Sequence, residues 1–238
     1  TADPDNVIAE SDESNNALSL TMTVMNNGYK GKRWTGGSDL ETIAAFEGRV
    51  GMAYSTGNAT YRAAGWSSAT THWTASDIPV PGTATILSAR LSQGYTYDQT
   101  PGGIPAWTAQ FNGQPVAPEI TYTDRKGYGS YNYPSGLLTY NVTSLFSKTG
   151  NTFTITPGAG NNNGLYGSLL VVVYEDSGEP VRKILINEEC DMLYAGAARF
   201  ASDDEATAYA PFGGVDTAGL GEAHLLAFLF SANEAGKS

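Results

Sequence analysis

Along residues 17–25 apolar and polar side chains alternate without a break: Leu18, Leu20, Met22 and Val24 fall on one side, Ser19, Thr21 and Thr23 on the other. A period of two marks a β-strand with one buried face. Asn26-Asn27-Gly28, residues that tolerate positive φ, predict a turn directly after it. The same alternation returns in residues 86–92, where Leu87, Ala89 and Leu91 interleave with Ser88, Arg90 and Ser92, and in residues 152–156, where Phe153 and Ile155 sit between threonines. Runs at 168–174, 184–186 and 225–230 are continuously apolar and predict central strands covered on both faces; by pattern alone the last also fits a short helix, but the preceding Gly219 and Gly221 and its aromatic residues favour a strand.

Between these runs lie Pro79-Val80-Pro81-Gly82, Thr100-Pro101-Gly102-Gly103, Tyr133-Pro134-Ser135-Gly136 and a glycine- and asparagine-rich stretch at 157–164. Each predicts a turn or loop, because proline fixes φ and glycine reaches left-handed geometry. Helix is scarce: residues 203–209 predict one or two turns with Ser202 as N-cap. No repeat of fixed period is present, which argues against a solenoid or propeller. Many short strands punctuated by turns predict an all-β chain, an antiparallel β-sandwich of jelly-roll-like type with an extended N-terminal β-strand arm. The arm, with the candidate donor strand, is expected at 1–27 and the sandwich body at 28–238.

Composition narrows the chemistry. The 238 residues carry a formal net charge of −11, and only 16% of them are charged. Nucleic acid would be repelled, since no cationic stripe exists to displace counterions from phosphates, and anionic lipid is disfavoured likewise. One cysteine, Cys190, leaves no intrachain disulfide, and two histidines make a soft-metal site untenable. No apolar run approaches the ~18–20 residues of a membrane-spanning helix. The chain starts at Thr1 rather than Met, as a processed precursor or a fragment of a longer protein would. Two N-x-S/T sequons, at Asn58 and Asn141, are candidate glycosylation sites on an exported protein.

Catalytic machinery is not expected. A nucleophilic triad needs His beside Ser or Cys, and His72 and His224 both read as structural. Neither G-x-S-x-G nor H-E-x-x-H occurs, and the terminal Gly236-Lys237-Ser238 is no phosphate loop, because Ser231 stands where its first glycine belongs. Glu188, Glu189 and Asp191 read as a solvated or hydrogen-bonded strand end rather than a glycosidase pair. No cofactor is expected. A structural calcium ion is the one metal the composition accommodates, with Asp203, Asp204 and Glu205 or the arm's Asp3, Asp5, Asp12 and Glu13 as hard oxygen ligands. Tyr122, Tyr128, Tyr131 and Tyr133 flank Asp124-Arg125-Lys126 in a candidate contact loop, suited to protein interfaces or sugar stacking.

Tyr29-Lys30-Gly31-Lys32-Arg33-Trp34-Thr35-Gly36-Gly37, Asp124-Arg125-Lys126-Gly127-Tyr128-Gly129-Ser130-Tyr131, Tyr140-Asn141-Val142-Thr143-Ser144-Leu145-Phe146 and the stretches at 169–176 and 186–194 follow one another along the chain. In that order they resemble an uncharacterised domain family of methanogenic archaeal surface proteins. The resemblance spans roughly residues 28–230 and implies an extracellular, cell-surface location and β architecture, with no known chemistry. Residues 8–24 resemble the final strand of a CARDB-type adhesion module whose other strands are missing here. A lone strand exposes backbone groups and an apolar row, so it must find a sheet edge. It can fold back on its own body or insert into a neighbouring subunit. The second solution makes the chain a structural subunit of an envelope layer, sheath or filament, a homopolymer whose partners are copies of itself and other envelope proteins or glycans. A carbohydrate-binding or adhesion module is the alternative.

Overall fold

A computed structural model of the chain describes residues 9, 21–29, 40–127, 129–215, 218 and 220–231, with the backbone alone at Ser130 and Tyr131. Ten strands follow one another: β1 (Glu41–Ser55), β2 (Ala69–Thr74), β3 (Thr85–Thr96), β4 (Trp107–Phe111), β5 (Gln114–Val116), β6 (Ile120–Asp124), β7 (Ser135–Asn141), β8 (Gly150–Pro157), β9 (Gly164–Glu175) and β10 (Val181–Glu188). Short 3-10 turns at Gly129–Asn132, Thr143–Leu145 and Ala197–Arg199 are the only helical elements among the described residues. All strand pairing is antiparallel.

Six strands join in the order β10-β1-β9-β3-β7-β6 and four in the order β2-β8-β4-β5. The pairs β1/β9, β2/β8, β3/β7 and β4/β5 nest inside one another along the sequence. That nesting is one long hairpin rolled into two sheets, which defines a jelly roll. β6 and β10 are additions, β6 beside β7 and β10 against residues 41–49 of β1, whose residues 50–55 pair with β9.

The two sheets close over Ala53, Trp73, Ala89, Leu91, Tyr95, Phe111, Tyr140, Phe153, Ile155, Leu170 and Val172. At 152–156 Phe153 and Ile155 form the core-facing row that the period of two predicts, and at 86–92 Ala89 and Leu91 do so, but Leu87 is 37% exposed, because a register shift between Ile86 and Ser88 puts Ile86 against the core in its place. Polar atoms caught between the sheets are tied together. Ser168 Oγ donates to Gln93 Oε1 at 2.6 Å, Gln93 Nε2 donates to the Tyr166 carbonyl at 2.8 Å, and Trp107 Nε1 donates to Tyr140 Oη at 2.9 Å. On the other face of the larger sheet Val50, Val173 and Ile184 form a second cluster with Phe46, Met52 and Ile186.

Three expectations are corrected here. Residues 184–186 belong to β10, which among the described residues pairs with β1 alone, so they sit on an edge rather than in the middle of a sheet. Residues 225–230 form no strand, and Leu225 is 75% exposed. The Tyr133–Gly136 turn ends sooner than expected, since β7 begins at Ser135. Residues 203–209 form a single turn, closed by a reciprocal pair: the Glu205 N–H donates to Ser202 Oγ at 3.3 Å and the Ser202 N–H to Glu205 Oε2 at 2.9 Å.

Candidate assembly site

The arm enters the body through a dense knot. Asn26 Oδ1 accepts the Gly28 N–H at 2.9 Å and Asn27 Oδ1 accepts the Tyr29 N–H at 3.0 Å, two successive Asx turns that reverse the chain. Gly28 holds φ +87, and a Cβ there would collide with Tyr194 Oη and with the Lys126 backbone, so only glycine lets the chain pass. Tyr29 Oη donates to the Tyr194 carbonyl at 3.0 Å and accepts the Tyr194 N–H at 2.9 Å, while Tyr194 Oη donates to the Asn27 carbonyl at 2.6 Å. The two rings lie 5.1 Å apart. Asn27 Nδ2 reaches the Phe200 carbonyl at 2.7 Å and Glu205 Oε1 at 3.2 Å, so Asn27, the last residue of the expected arm, is built into the body.

Beneath Tyr29 lies an ion pair with no exposed surface, Lys126 Nζ to Asp124 Oδ2 at 2.6 Å, and the ammonium sits 5.3 Å from the Tyr29 ring centroid. Asp124 Oδ2 also accepts the Met192 N–H at 2.7 Å. Three sequence segments noted for their resemblance, at Tyr29, at 124–127 and at 186–194, thus converge on one place. Burial pushes the Tyr29 hydroxyl up to about 12. Burial, and then the carboxylates of Glu189, Asp124 and Asp191, pushes the Cys190 thiol up to about 12 as well. A thiol held that strongly protonated is a poor nucleophile.

Outward from the knot the picture reverses. Thr21 to Met25 lie outside any strand, with Met22 76% and Val24 90% exposed. Leu18 and Leu20 of the expected assembly strand lie outside the described residues. A second apolar segment, residues 220–231, is likewise outside any strand, and none of its backbone groups bonds to a described residue. It rests on the larger sheet through Phe228, whose ring meets Tyr54 edge-on at 5.2 Å, and through Phe230, which packs over Gly94.

Other expected site residues scatter. Tyr122 Oη donates to Glu188 Oε2 at 3.4 Å, part of a cluster in which Arg90 pairs with Glu188 at 2.8 Å and with Glu119 at 2.5 Å. Tyr133, partly exposed, packs against Tyr97 with centroids 4.5 Å apart and the ring planes tilted by 50°. Tyr128 and the Tyr131 side chain lie outside the described residues. Asn58 and Asn141 are exposed, Asn58 Oδ1 accepting the His72 N–H at 2.8 Å and Asn141 Oδ1 the Thr143 hydroxyl at 2.7 Å. Glu205, named as a calcium ligand, is engaged with Ser202 and Asn27. Asp3, Asp5, Asp12 and Glu13 lie outside the described residues. No group of three or more His, Cys, Asp or Glu suited to a metal ion occurs among the described residues.

Concave surface is scant. A cavity beside Ala59, Thr70 and Tyr166 holds about 20 Å³, room for one water. A depression of about 410 Å³ along Arg49, Thr83 and Asp176 lies open to solvent. No described helix is long and apolar enough to cross a membrane.

The knot missed by pattern reading is made of side chains far apart in sequence. Asn26-Asn27-Gly28 is its one local signal, legible as a turn but not as an anchor. The molecule is thus a jelly-roll sandwich with a firmly rooted amino-terminal segment. Residues 28–238 match the model of DUF3344, a family of proteins of unknown function, and the chain belongs to that family. Neither the curated proteins nor the solved structures gave a match.

Proposed function

We propose that the chain is a structural, non-enzymatic subunit of an extracellular layer, sheath or filament, and that it assembles by giving its arm strand to the next copy. One observation carries this reading. The arm is locked at Asn27–Tyr29, yet Met22 and Val24 immediately before the lock are 76% and 90% exposed, and no described strand pairs with them. A rooted strand with a free apolar row finds its partner outside its own body. Burying such a row contributes about 1.5–3 kcal/mol for each large side chain before entropy costs. Resemblance to surface proteins of methanogenic archaea and to the last strand of a CARDB-type module agrees with an extracellular setting. Exposed Asn58 and Asn141 are then candidate glycan carriers.

The test is removal of residues 1–25, which leaves the knot intact. The shortened chain should remain folded by circular dichroism and lose the polymer that the full chain forms in electron micrographs. Unchanged polymer would sink strand donation.

Sugar binding is the second reading, supported by the exposed Tyr97–Tyr133 pair, which offers an aromatic platform at one end of a jelly roll. Retention on a glycan array that disappears in Tyr97→Ala would favour it.

A further inference from the structure

We propose that residues 223–230 are the acceptor for the arm strand of a second copy, a deepening that rests on the strand-donation reading above. The segment is anomalous. Leu220, Leu225, Leu226, Phe228 and Leu229 are 52, 75, 42, 41 and 66% exposed, and exposure within it alternates. Phe228 and Phe230 meet the sheet at Tyr54 and Gly94, while Leu225 and Leu229 are the most exposed of the segment's large apolar side chains. Alternation over this length is the geometry of a strand. Its N–H and C=O groups nevertheless bond to no described residue, although extended backbone pairs wherever a partner exists.

The occupant follows from what else in the chain lacks a partner. Residues 21–25 are a second described stretch of exposed apolar side chains outside any strand, and they alternate, whereas a third at 208–215, with Tyr209, Phe212 and Val215 exposed, is broken by Pro211, Gly213 and Gly214. The full alternating run 17–25 has nine residues against eight in 223–230, so the two match in length. Both are free of Asp, Glu, Lys and Arg. In a chain of charge −11 their approach therefore brings no like charges face to face. Laid beside 223–230, the arm row Leu18, Leu20, Met22 and Val24 continues the row Leu226, Phe228 and Phe230 across the larger sheet. Ser19, Thr21 and Thr23 face water. Both edges of the smaller sheet compete less well, since β5 contains Pro115, which has no N–H to give, and the Asn58 loop caps β2 through the His72 backbone; in the larger sheet the side chains of Asn187 and Lys183 in edge strand β10 are already tied to the Pro211 and Gly214 carbonyls.

The experiment uses the full chain in a Cys190→Ala background. Chains carrying Met22→Cys are mixed with chains carrying Leu226→Cys, Phe228→Cys or Phe230→Cys and oxidised after assembly. The expected result is a disulfide-linked heterodimer for at least one of the three, and ladders when both cysteines are in one chain. Absence of every such product in assembled material, or a cross-link within a single chain only, overturns the proposal. A second variant separates the two readings. Ala227→Pro removes a backbone donor in the middle of the segment and should abolish assembly while leaving the body folded. If deletion of 1–25 abolishes assembly and Ala227→Pro does not, donation stands and this acceptor falls. If the deleted chain still assembles, or the full chain never does, donation itself falls.

Discussion

At the scale of single residues the knot is where chemistry is concentrated, and its consequences are measurable. Lys126 and Asp124 have no exposed side-chain surface, so removing one partner strands the other charge in a dry site. Asp124→Ala should cost about 3–5 kcal/mol, read as a lower urea midpoint, whereas the joint replacement Asp124→Leu with Lys126→Met should cost far less. Cys190 gives a pH signature. Its thiol ionises near 9 when free and at about 12 in the fold. Over that window the unfolded chain releases a proton that the folded chain keeps, so stability falls as pH rises, by about 1.4 kcal/mol per unit for one group. Tyr29, Tyr95 and Tyr140, raised from 10 to about 12, add to the fall further up. Urea unfolding of Cys190→Ala should therefore show a flatter decline than the parent just above about pH 9, before the tyrosines take part.

At the scale of elements, close backbone approach sets what β7 tolerates. A Cβ on Gly136 would run into the Tyr122 carbonyl of β6 and the Tyr95 hydroxyl of β3, backbone and core together. Gly82, in a turn, has nothing within 4 Å. Gly136→Ala should cost about 3 kcal/mol or more by overpacking, and Gly82→Ala close to nothing, in parallel thermal melts. The contrast also explains what the sequence made legible. Strands β8 and β9 announced themselves because one face of β8 and both faces of β9 are buried, and β3 did so through its buried Ala89 and Leu91; the pattern of side chains records each. Gly136 read as part of a turn with Pro134 and Ser135, since composition cannot say that a glycine is there to let two strands and a ring come close. β1 escaped notice because Gly48 and Gly51 and the charged residues Glu47 and Arg49 interrupt its periodicity, the last two lying where it changes partner from β10 to β9. The run at 225–230 read as a central strand, because hydrophobicity records a demand for burial and not whether the same chain meets it. Convergence of Tyr29, Asp124, Lys126 and Tyr194 came from topology alone, as no local period links residues so distant.

At the scale of the whole molecule, charge and apolar surface oppose each other. Each chain carries −11, so copies approaching the proposed polymer would be repelled by it. The proposed contact, an arm strand beside residues 223–230, has no ion pair to lose on the addition of salt. The Debye length shrinks from about 30 Å at 0.01 M to about 10 Å at 0.1 M, which screens the repulsion and leaves the apolar contact untouched. Assembly followed by light scattering should therefore quicken as sodium chloride rises through that range. Sodium sulfate at equal ionic strength should quicken it further, because excluded anions strengthen apolar burial. A chain lacking residues 1–25 should respond to neither salt. Slower assembly in salt would mean that ion pairs hold the polymer, and the partner would then be sought along charged groups such as Arg90, Glu119 and Glu188 rather than at either apolar segment.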